Sequence, residues 1–142
     1  MTKIREIMAK DVRTCSLKDN VFEVAVMMKE ENVGAIPIVD GRRLVGIITD
    51  RDIVIRGVAE KNPGSSSVEQ IMSTDLVVGN PDMSVEDATE LMSTKEIRRL
   101  PIVENDELIG IVALGDIAAR TQFVPIAAEA LQEISESHKT LN

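Results

Sequence analysis

The sequence has almost no aromatic side chains and only one cysteine. It contains no tryptophan and no tyrosine, and Phe22 and Phe123 are its two phenylalanines. A buried core must therefore be made of isoleucine, valine, leucine, methionine and alanine. Cys15 has no second cysteine as a partner, which excludes a disulfide framework and the paired-cysteine patterns of redox and zinc sites.

Long apolar runs and an excess of positive charge are missing as well. No apolar stretch approaches the ~20 residues of a membrane-spanning helix, and the first residues are unlike a signal peptide. The net charge of −8 argues against a general surface for nucleic acid or for anionic membranes, because both require basic residues. We therefore expect a soluble, cytoplasmic protein with no nucleic-acid or membrane partner.

No residue pattern typical of an active site is present. The sequence has no P-loop, no glycine-rich dinucleotide motif after a strand, and no nucleophile paired with a general base. His138 is the only histidine, and neither it nor Cys15 has neighbours that would complete a metal site. A thiol redox sensor at Cys15 would need a lowered pKa, for which no nearby feature provides a cause. We predict that the protein is not an enzyme and requires no cofactor.

What the sequence does contain is an internal repeat. The segment 33–53 returns as the segment 97–117, at an offset of 64 residues and without a gap. The aligned pairs include Pro37 with Pro101, Gly46 with Gly110, Thr49 with Ala113 and Asp52 with Asp116. The similarity extends toward both ends, so nearly the whole chain is two copies of one unit. Because a half of this size buries little surface alone, we expect the copies to pack together.

Capping patterns predict one amphipathic helix early in each copy. Asn20 and Ser84 are good N-cap residues, and Glu23 and Asp87 follow three residues later as capping-box partners. Apolar residues then recur at helical spacing along one face of each helix. Residues 4–8 show the same spacing over a shorter stretch and predict a short helix.

Apolar, β-branched runs predict two strands after each of these helices. In the first copy they are 35–39 and 44–49, and a short strand is also expected at 12–15. The corresponding strands of the second copy are 100–103 and 108–112. Runs this apolar favour strands that are covered on both faces. A helix is predicted after each second strand, at 50–60 and at 115–121.

Two segments lie outside the repeated pattern. Proline, glycine and serine at 63–67 predict a linker between the copies, which extend over 1–62 and 68–122. In the tail, 123–142, Pro125 suits a helix start. The apolar stripe of that helix consists of Ile126, Ala130, Leu131 and Ile134. We expect the tail helix to pack on its own body or across a dimer seam, with recognition of a partner protein as the alternative.

The order of motifs in each copy resembles the CBS motif, named for cystathionine β-synthase, and the tandem pair resembles a stand-alone Bateman module. The resemblance covers about residues 4–121 and depends on three features. These are the Ile-Met start, the apolar-Pro-apolar-Val-acid strand, and the glycine-containing strand before a helix with aspartate in its first turn. It implies a mixed α+β fold of two tandem β-α-β-β-α motifs packed with pseudo-twofold symmetry, plus a C-terminal helix. Family members frequently form dimers.

The resemblance also implies a regulatory, energy-sensing function. Many CBS pairs bind AMP, ADP, ATP or S-adenosylmethionine in a cleft between the motifs and signal to a partner. By resemblance, Asp52 would accept hydrogen bonds from both ribose hydroxyls, Thr49 would lie near the phosphate, and Arg51 would add a charge-assisted contact. Free amides at the start of the following helix would favour a phosphate nearby.

The resemblance places the adenine between the first strand and the backbone after the first capped helix. The residues implied are Thr14, Cys15, Val33, Gly34 and Ala35, with Pro37 and Ile47 as apolar walls. In the second copy, Arg98 and Arg99 replace Gly34 and Ala35, Ala113 replaces Thr49, and Asp116 is retained. The sequence therefore predicts one well-formed site, with a phosphate contact from Arg98 or Arg99, and a weaker site at Asp116.

Each of these assignments has a structural alternative. Thr49 and Asp52 together resemble a capping box, which would stabilise a helix without any ligand. Gly34 would simply end the preceding helix, and Arg98 and Arg99 would pair with surface acids. The loss of threonine at Ala113 favours a ligand-free dimeric scaffold that binds a partner protein.

Overall fold

The computed structural model describes residues 2–120 and 124–141, with the side chains of 2–120 and 125–135. After a 3-10 helix at Ile4–Glu6, the elements are β1 (Cys15–Ser16), α1 (Val21–Glu31), β2 (Ala35–Asp40), β3 (Arg43–Thr49), α2 (Asp50–Asp52), a π-helical segment (Ile53–Val58), α3 (Val68–Ile71), α4 (Val85–Lys95), β4 (Arg99–Glu104), β5 (Glu107–Ala113), α5 (Leu114–Ala118) and α6 (Val124–Leu141). The predicted mixed α+β fold is confirmed. In the second copy, a single parallel bridge from Gly79 to Ile102 takes the place of β1.

The chain forms two compact units that do not coincide with the two sequence copies. The first unit comprises Arg13–Leu76 and Asp106–Leu108, and the second comprises Met1–Val12, Val77–Asn105 and Ile109–Asn142. The beginning of each copy therefore belongs to the unit that contains the body of the other copy. The predicted linker lies inside the first unit.

The first unit is built on the β2–β3 hairpin. Strand β1 runs parallel to β2, with Cys15 opposite Ile38, and β2 is antiparallel to β3. The start of β5 pairs with β3 through Glu107 and Arg43. Proline is tolerated at position 37 of β2 because β1 begins its pairing only at Ile38. The core of this unit consists of Cys15, Val21, Val24, Met28, Ile36, Ile38, Ile48, Val68 and Ile71.

The second unit places β4 beside β5 and packs the N-terminal segment against them. The Ile4 amide donates a hydrogen bond to the Met83 carbonyl at 2.9 Å, and Ala9 and Ile111 exchange backbone hydrogen bonds at 2.9 Å. The core of this unit consists of Ile4, Met8, Val85, Ala88, Met92, Leu100, Ile102, Val112, Leu114, Ile117, Ala127, Ala130 and Ile134.

The tail helix α6 packs against α4 and α5 of its own unit, which confirms that it packs on its own body. Ala130 and Ile134 of the predicted stripe are buried, whereas Leu131 is 42% exposed. Ala127 is buried in its place, because positions 127, 130 and 134 follow the helical spacing. No helix within the described residues combines the length and apolar character that a membrane span requires.

The predicted N-cap residues of α1 and α4, Asn20 and Ser84, are confirmed. The Asn20 side chain accepts a hydrogen bond from the Glu23 amide at 2.8 Å, and the Ser84 hydroxyl accepts one from the Asp87 amide at 3.0 Å. The helix predicted at 50–60, after β3, is only partly α-helical, because its continuation from Ile53 is π-helical. The predicted end of the second such helix, Thr121, lies outside the described residues.

Candidate functional site

The end of β3 carries a reciprocal capping box. The Thr49 hydroxyl accepts a hydrogen bond from the Asp52 amide at 3.0 Å, and Asp52 Oδ2 accepts one from the Thr49 amide at 2.9 Å. Both residues are half-buried. Among the described residues, the recorded bonds of Asp52 use only Oδ2, which leaves its second oxygen available to a ligand.

Gly34 is placed against this turn from the neighbouring strand. Its carbonyl accepts a hydrogen bond from the Asp50 amide at 2.9 Å. A Cβ atom at Gly34 would lie 3.0 Å from Asp50 Oδ2, so the Asp50 carboxylate occupies the space that a side chain would fill. Gly34 does not end helix α1, because Asn32 adopts the left-handed conformation there, with φ 54°. The alternative that Gly34 ends the preceding helix is therefore wrong.

Asp50 is a residue of this site that the sequence reasoning missed. It is exposed, and it lies between Thr49 and the exposed Arg51. The missed signal is the comparison of the copies, because position 114, which aligns with Asp50, is a buried leucine. A charged residue in one copy and an apolar one in the other indicate different surroundings at the same backbone position.

The amides at the start of α2 all have internal acceptors. The Asp50 amide donates to Gly34, the Arg51 amide to Asp50 Oδ1 at 2.8 Å, and the Asp52 amide to Thr49. The expectation of free amides that would favour a phosphate is therefore wrong for the first copy. Two carboxylates and a hydroxyl surround this helix start instead.

Strand β1, which the sequence predicts to lie beside the adenine, pairs with β2. Cys15 is only 3% exposed, and burial, together with the negative charge of Asp19, raises the pKa of its thiol to about 12. Cys15 is therefore a protonated, apolar wall at neutral pH, which does not favour a thiol redox sensor. Thr14, immediately before it, is half-buried.

The predicted apolar walls are neighbours in the hairpin. Pro37 is opposite Ile47 and Ala35 is opposite Thr49. Pro37 is buried, whereas Ala35 and Ile47 are half-buried, as is Val33, which packs on the core. The structure therefore brings the backbone at Gly34 and the capping box together within the first unit.

The arginines near the repeated stretch have different roles. The guanidinium of Arg56 donates hydrogen bonds to the carbonyls of Ile71 and Met72, at 3.3 and 3.0 Å. Arg56 therefore caps the end of α3. Arg51 is exposed.

The second copy keeps the backbone geometry but changes the side chains. The Leu114 amide donates to the Arg98 carbonyl at 2.8 Å, as Asp50 does to Gly34. Ala113 provides no side-chain cap, as the sequence predicted, and Asp116 is exposed. Arg98 is exposed and Arg99 is half-buried, both in the second unit. The prediction that they contact a phosphate held by the first copy stays a prediction.

Each copy thus presents the same strand–turn–helix junction, and tandem copies of this junction define a class of paired small domains. The CBS domain family matches residues 4–57 and 68–121, which is most of the chain. The chain therefore belongs to the CBS domain family, as a tandem pair.

Three similar proteins illustrate this membership. The chain is 46% identical over 138 residues to the uncharacterised protein YlbB of Bacillus subtilis, covering 96% of this chain and 93% of that protein. It also matches the crystal structure of hypoxic response protein I, which is described with two coordinated zinc ions. That protein is from Mycobacterium tuberculosis. The TM-score is 0.75 at 32% identity, and the match covers 84% of this chain and 98% of that chain. The chain also matches the CBS domain pair of protein MJ0100 in complex with 5′-methylthioadenosine and S-adenosylmethionine, at TM-score 0.75 and 29% identity, covering 84% of this chain and 94% of that chain.

Within residues 2–120 and 125–135, we find no group of side chains that could hold zinc ions like those of the Mycobacterium structure. Among the described residues, no group of three or more histidine, cysteine, aspartate or glutamate side chains lies close enough together to hold a metal ion.

Proposed function

We propose that this protein is a regulatory module that binds an adenosine compound, of the AMP, ADP, ATP or S-adenosylmethionine type, at the first-copy junction. It acts as a homodimer, signals to a partner protein and catalyses no reaction. The observation that carries the proposal is the half-buried Asp52 carboxylate, held by Thr49 through one oxygen while the other is available. A carboxylate in this setting matches the vicinal hydroxyls of a ribose.

Two further observations support this proposal. Ala35 lies opposite Thr49 of the capping box and has little side-chain volume, so a planar base can approach its backbone. The similar CBS pair of protein MJ0100 is described in complex with two adenosine compounds.

The first experiment is a thermal-shift screen with AMP, ADP, ATP, S-adenosylmethionine and 5′-methylthioadenosine, followed by calorimetric titration. A ligand at about 100 times its Kd should add roughly 2.7 kcal/mol of stability. Asp52→Asn should abolish this shift, because the amide keeps an acceptor for Thr49 but loses the charge and one of the two acceptors.

The matched control is Asp87→Asn, which removes another acid from the first turn of a helix, outside the site. It should leave the shift unchanged. If no adenosine compound stabilises the wild-type protein, or if the two variants behave alike, the proposal is wrong.

A second candidate function is that of a ligand-free scaffold. The observation that favours it is a set of exposed apolar side chains on the π-helical segment, Val54, Ile55 and Val58. Such side chains are typical of an interaction surface. The scaffold hypothesis predicts that Asp52→Asn leaves partner binding unchanged, whereas a ligand sensor should lose the ligand dependence of that binding.

A further inference from the structure

The exposed apolar side chains of the π-helical segment belong to a larger patch of the first unit. We call it the first-unit patch, and its members are Phe22 on α1 and, on the π-helical segment, Val54, Ile55 and Val58, which are between 48% and 72% exposed. One turn joins its two parts. The Phe22 amide donates to the Gly64 carbonyl at 2.9 Å. At the other end of the turn, the Lys61 amide donates to the Val58 carbonyl at 3.1 Å, so Phe22 and Val58 flank the same turn.

The second copy shows that the fold does not require an apolar patch at this surface. At the offset of 64 residues, the counterparts of Phe22, Val54 and Ile55 are Glu86, Ala118 and Ala119. These three residues are exposed as well, so the aligned positions reach solvent in both copies. Only the first copy places bulky apolar side chains there. A cluster of this kind marks a surface that another surface covers.

The charges on α1 favour a second copy of the chain as the covering surface. Val26 lies on the side of α1 opposite to the buried Val24, because two residues correspond to about 200° of helical rotation. Exposed Glu23 lies three residues before Val26, and exposed Lys29 lies three residues after it. This face of the helix therefore carries opposite charges placed symmetrically about one apolar residue.

A twofold axis at Val26 would pair these charges. In a twofold interface, a residue that contacts a second residue of the other copy is matched by the reverse contact. Where two α1 helices cross antiparallel at Val26, Glu23 of each copy lies opposite Lys29 of the other copy. The acids at the end of the helix, Glu30 and Glu31, form salt bridges with Arg13 of their own unit, which reduces repulsion between the copies.

We propose that two copies of the chain form a twofold dimer through the first-unit patch, with their α1 helices crossing antiparallel at Val26. The matching surface of the second copy takes no part in this contact. The inference rests on the proposed function, because it specifies the surface through which the homodimer forms. The observation that carries it is the contrast between Phe22, Val54 and Ile55 and their exposed but polar or small counterparts.

The test measures the dimer Kd by sedimentation of the full chain over a concentration series. Ile55→Glu places an acid inside the proposed interface, whereas the matched control, Ala119→Glu, places the same acid at the aligned, exposed position of the second copy. Ile55→Glu should raise the dimer Kd at least about 100-fold, because two unpaired carboxylates would be buried in each dimer. Ala119→Glu should leave the Kd within about twofold of wild type, because its carboxylate stays in solvent.

Val58→Glu is a second variant of the patch. Its side chain is 72% exposed, so the substitution removes little packing from the monomer, and circular dichroism should show a wild-type fold. It should raise the dimer Kd as Ile55→Glu does.

Charge reversal on α1 tests the twofold crossing. Glu23→Lys and Lys29→Glu should each raise the dimer Kd about threefold or more, because each places like charges opposite one another. The double reversal should return the Kd to within about twofold of wild type. The two residues are six positions apart on one helix and do not face each other within a copy, so this rescue requires contact between copies.

A wild-type Kd for Ile55→Glu and Val58→Glu would overturn the inference. An equal loss of the dimer in Ala119→Glu, or a double reversal that fails to restore it, would do the same. In each of these cases the ligand-binding part of the proposed function would stand. A wild-type chain that stays monomeric up to about 1 mM would contradict the proposed homodimer, and the inference with it. The thermal-shift screen would still test ligand binding separately.

Discussion

Glycine at the middle of β3 and β5 is explained by methionine packing. A Cβ atom at Gly46 would lie 2.7 Å from Met72 Sδ, and one at Gly110 would lie 2.7 Å from Met8 Sδ. The Gly110 position is tighter, because the Ala9 carbonyl oxygen is also 2.9 Å away. The repeated glycine is therefore required by the segment that crosses each strand, not by a turn.

We predict that Gly110→Ala lowers the free energy of unfolding by about 1–3 kcal/mol, because the backbone oxygen of Ala9 cannot move as a side chain can. The matched substitution is Gly115→Ala in α5, where a Cβ atom would meet nothing within 4 Å. Helix propensity makes that change stabilising by up to about 1 kcal/mol. Urea denaturation of both variants tests the opposite signs, and equal stabilities would contradict the packing argument.

Among the elements, the two helices that follow the hairpins differ in their caps. Thr49 caps α2, whereas Ala113 occupies the same position before α5 without a side-chain acceptor. The backbone angles are similar, with φ −114° and ψ 163° at Thr49 and φ −107° and ψ 144° at Ala113. The second junction is therefore already shaped for a cap.

We predict that Ala113→Thr raises the free energy of unfolding by about 0.5–1 kcal/mol, because the new hydroxyl can accept the Asp116 amide. Thr49→Ala should lower it by about 1 kcal/mol, since the Asp52 amide loses its acceptor. Urea denaturation without ligand measures the free energy of unfolding of both variants. A destabilised Ala113→Thr would show that the two junctions are not equivalent.

The π-helical segment could not be predicted from its sequence. Its residues have the same apolar spacing as an α-helix, but the Ala59 amide donates to the Val54 carbonyl, five residues before it, at 2.9 Å. The Asn62 side chain donates to the Arg56 carbonyl at 2.7 Å, and Arg56 itself caps α3. The contact of Arg56 with α3 is tertiary, and local helix propensity does not distinguish the π-helical from the α-helical bond pattern.

At the scale of the whole molecule, each compact unit takes its short Ile-Met segment from the other copy. Ile4 is fully buried in the second unit, and Val68 and Ile71 are fully buried in the first. Salt bridges from Arg5 to Asp82 and Glu104 add surface contacts within the second unit.

We predict that Ile4→Ala lowers the free energy of unfolding by about 2–5 kcal/mol, as expected for a large-to-small change in a core. Lys10→Ala, an exposed change in the same N-terminal segment, should stay within about 0.5 kcal/mol. Urea denaturation distinguishes the two. A small effect of Ile4→Ala would mean that the N-terminal segment contributes little to the second unit.

The sequence by itself determined the repeat, the hairpins and the helix caps, because these depend on local patterns. Apolar alternation, N-cap residues such as Asn20 and Ser84, and the in-register Thr49-to-Asp52 pattern each act over a few residues. The family also followed from these motifs, since they recur in the same order in both copies.

The tertiary structure decided which segments share a core and which polar groups are available. The beginning of each copy belongs to the unit that contains the body of the other copy. This exchange depends on long-range burial, which no local sequence pattern contains. The Asp50 carboxylate beside Gly34 and the capture of Arg56 by α3 depend on contacts between elements. A sequence shows which side chains carry charge, but only packing shows which of those charges a ligand would meet.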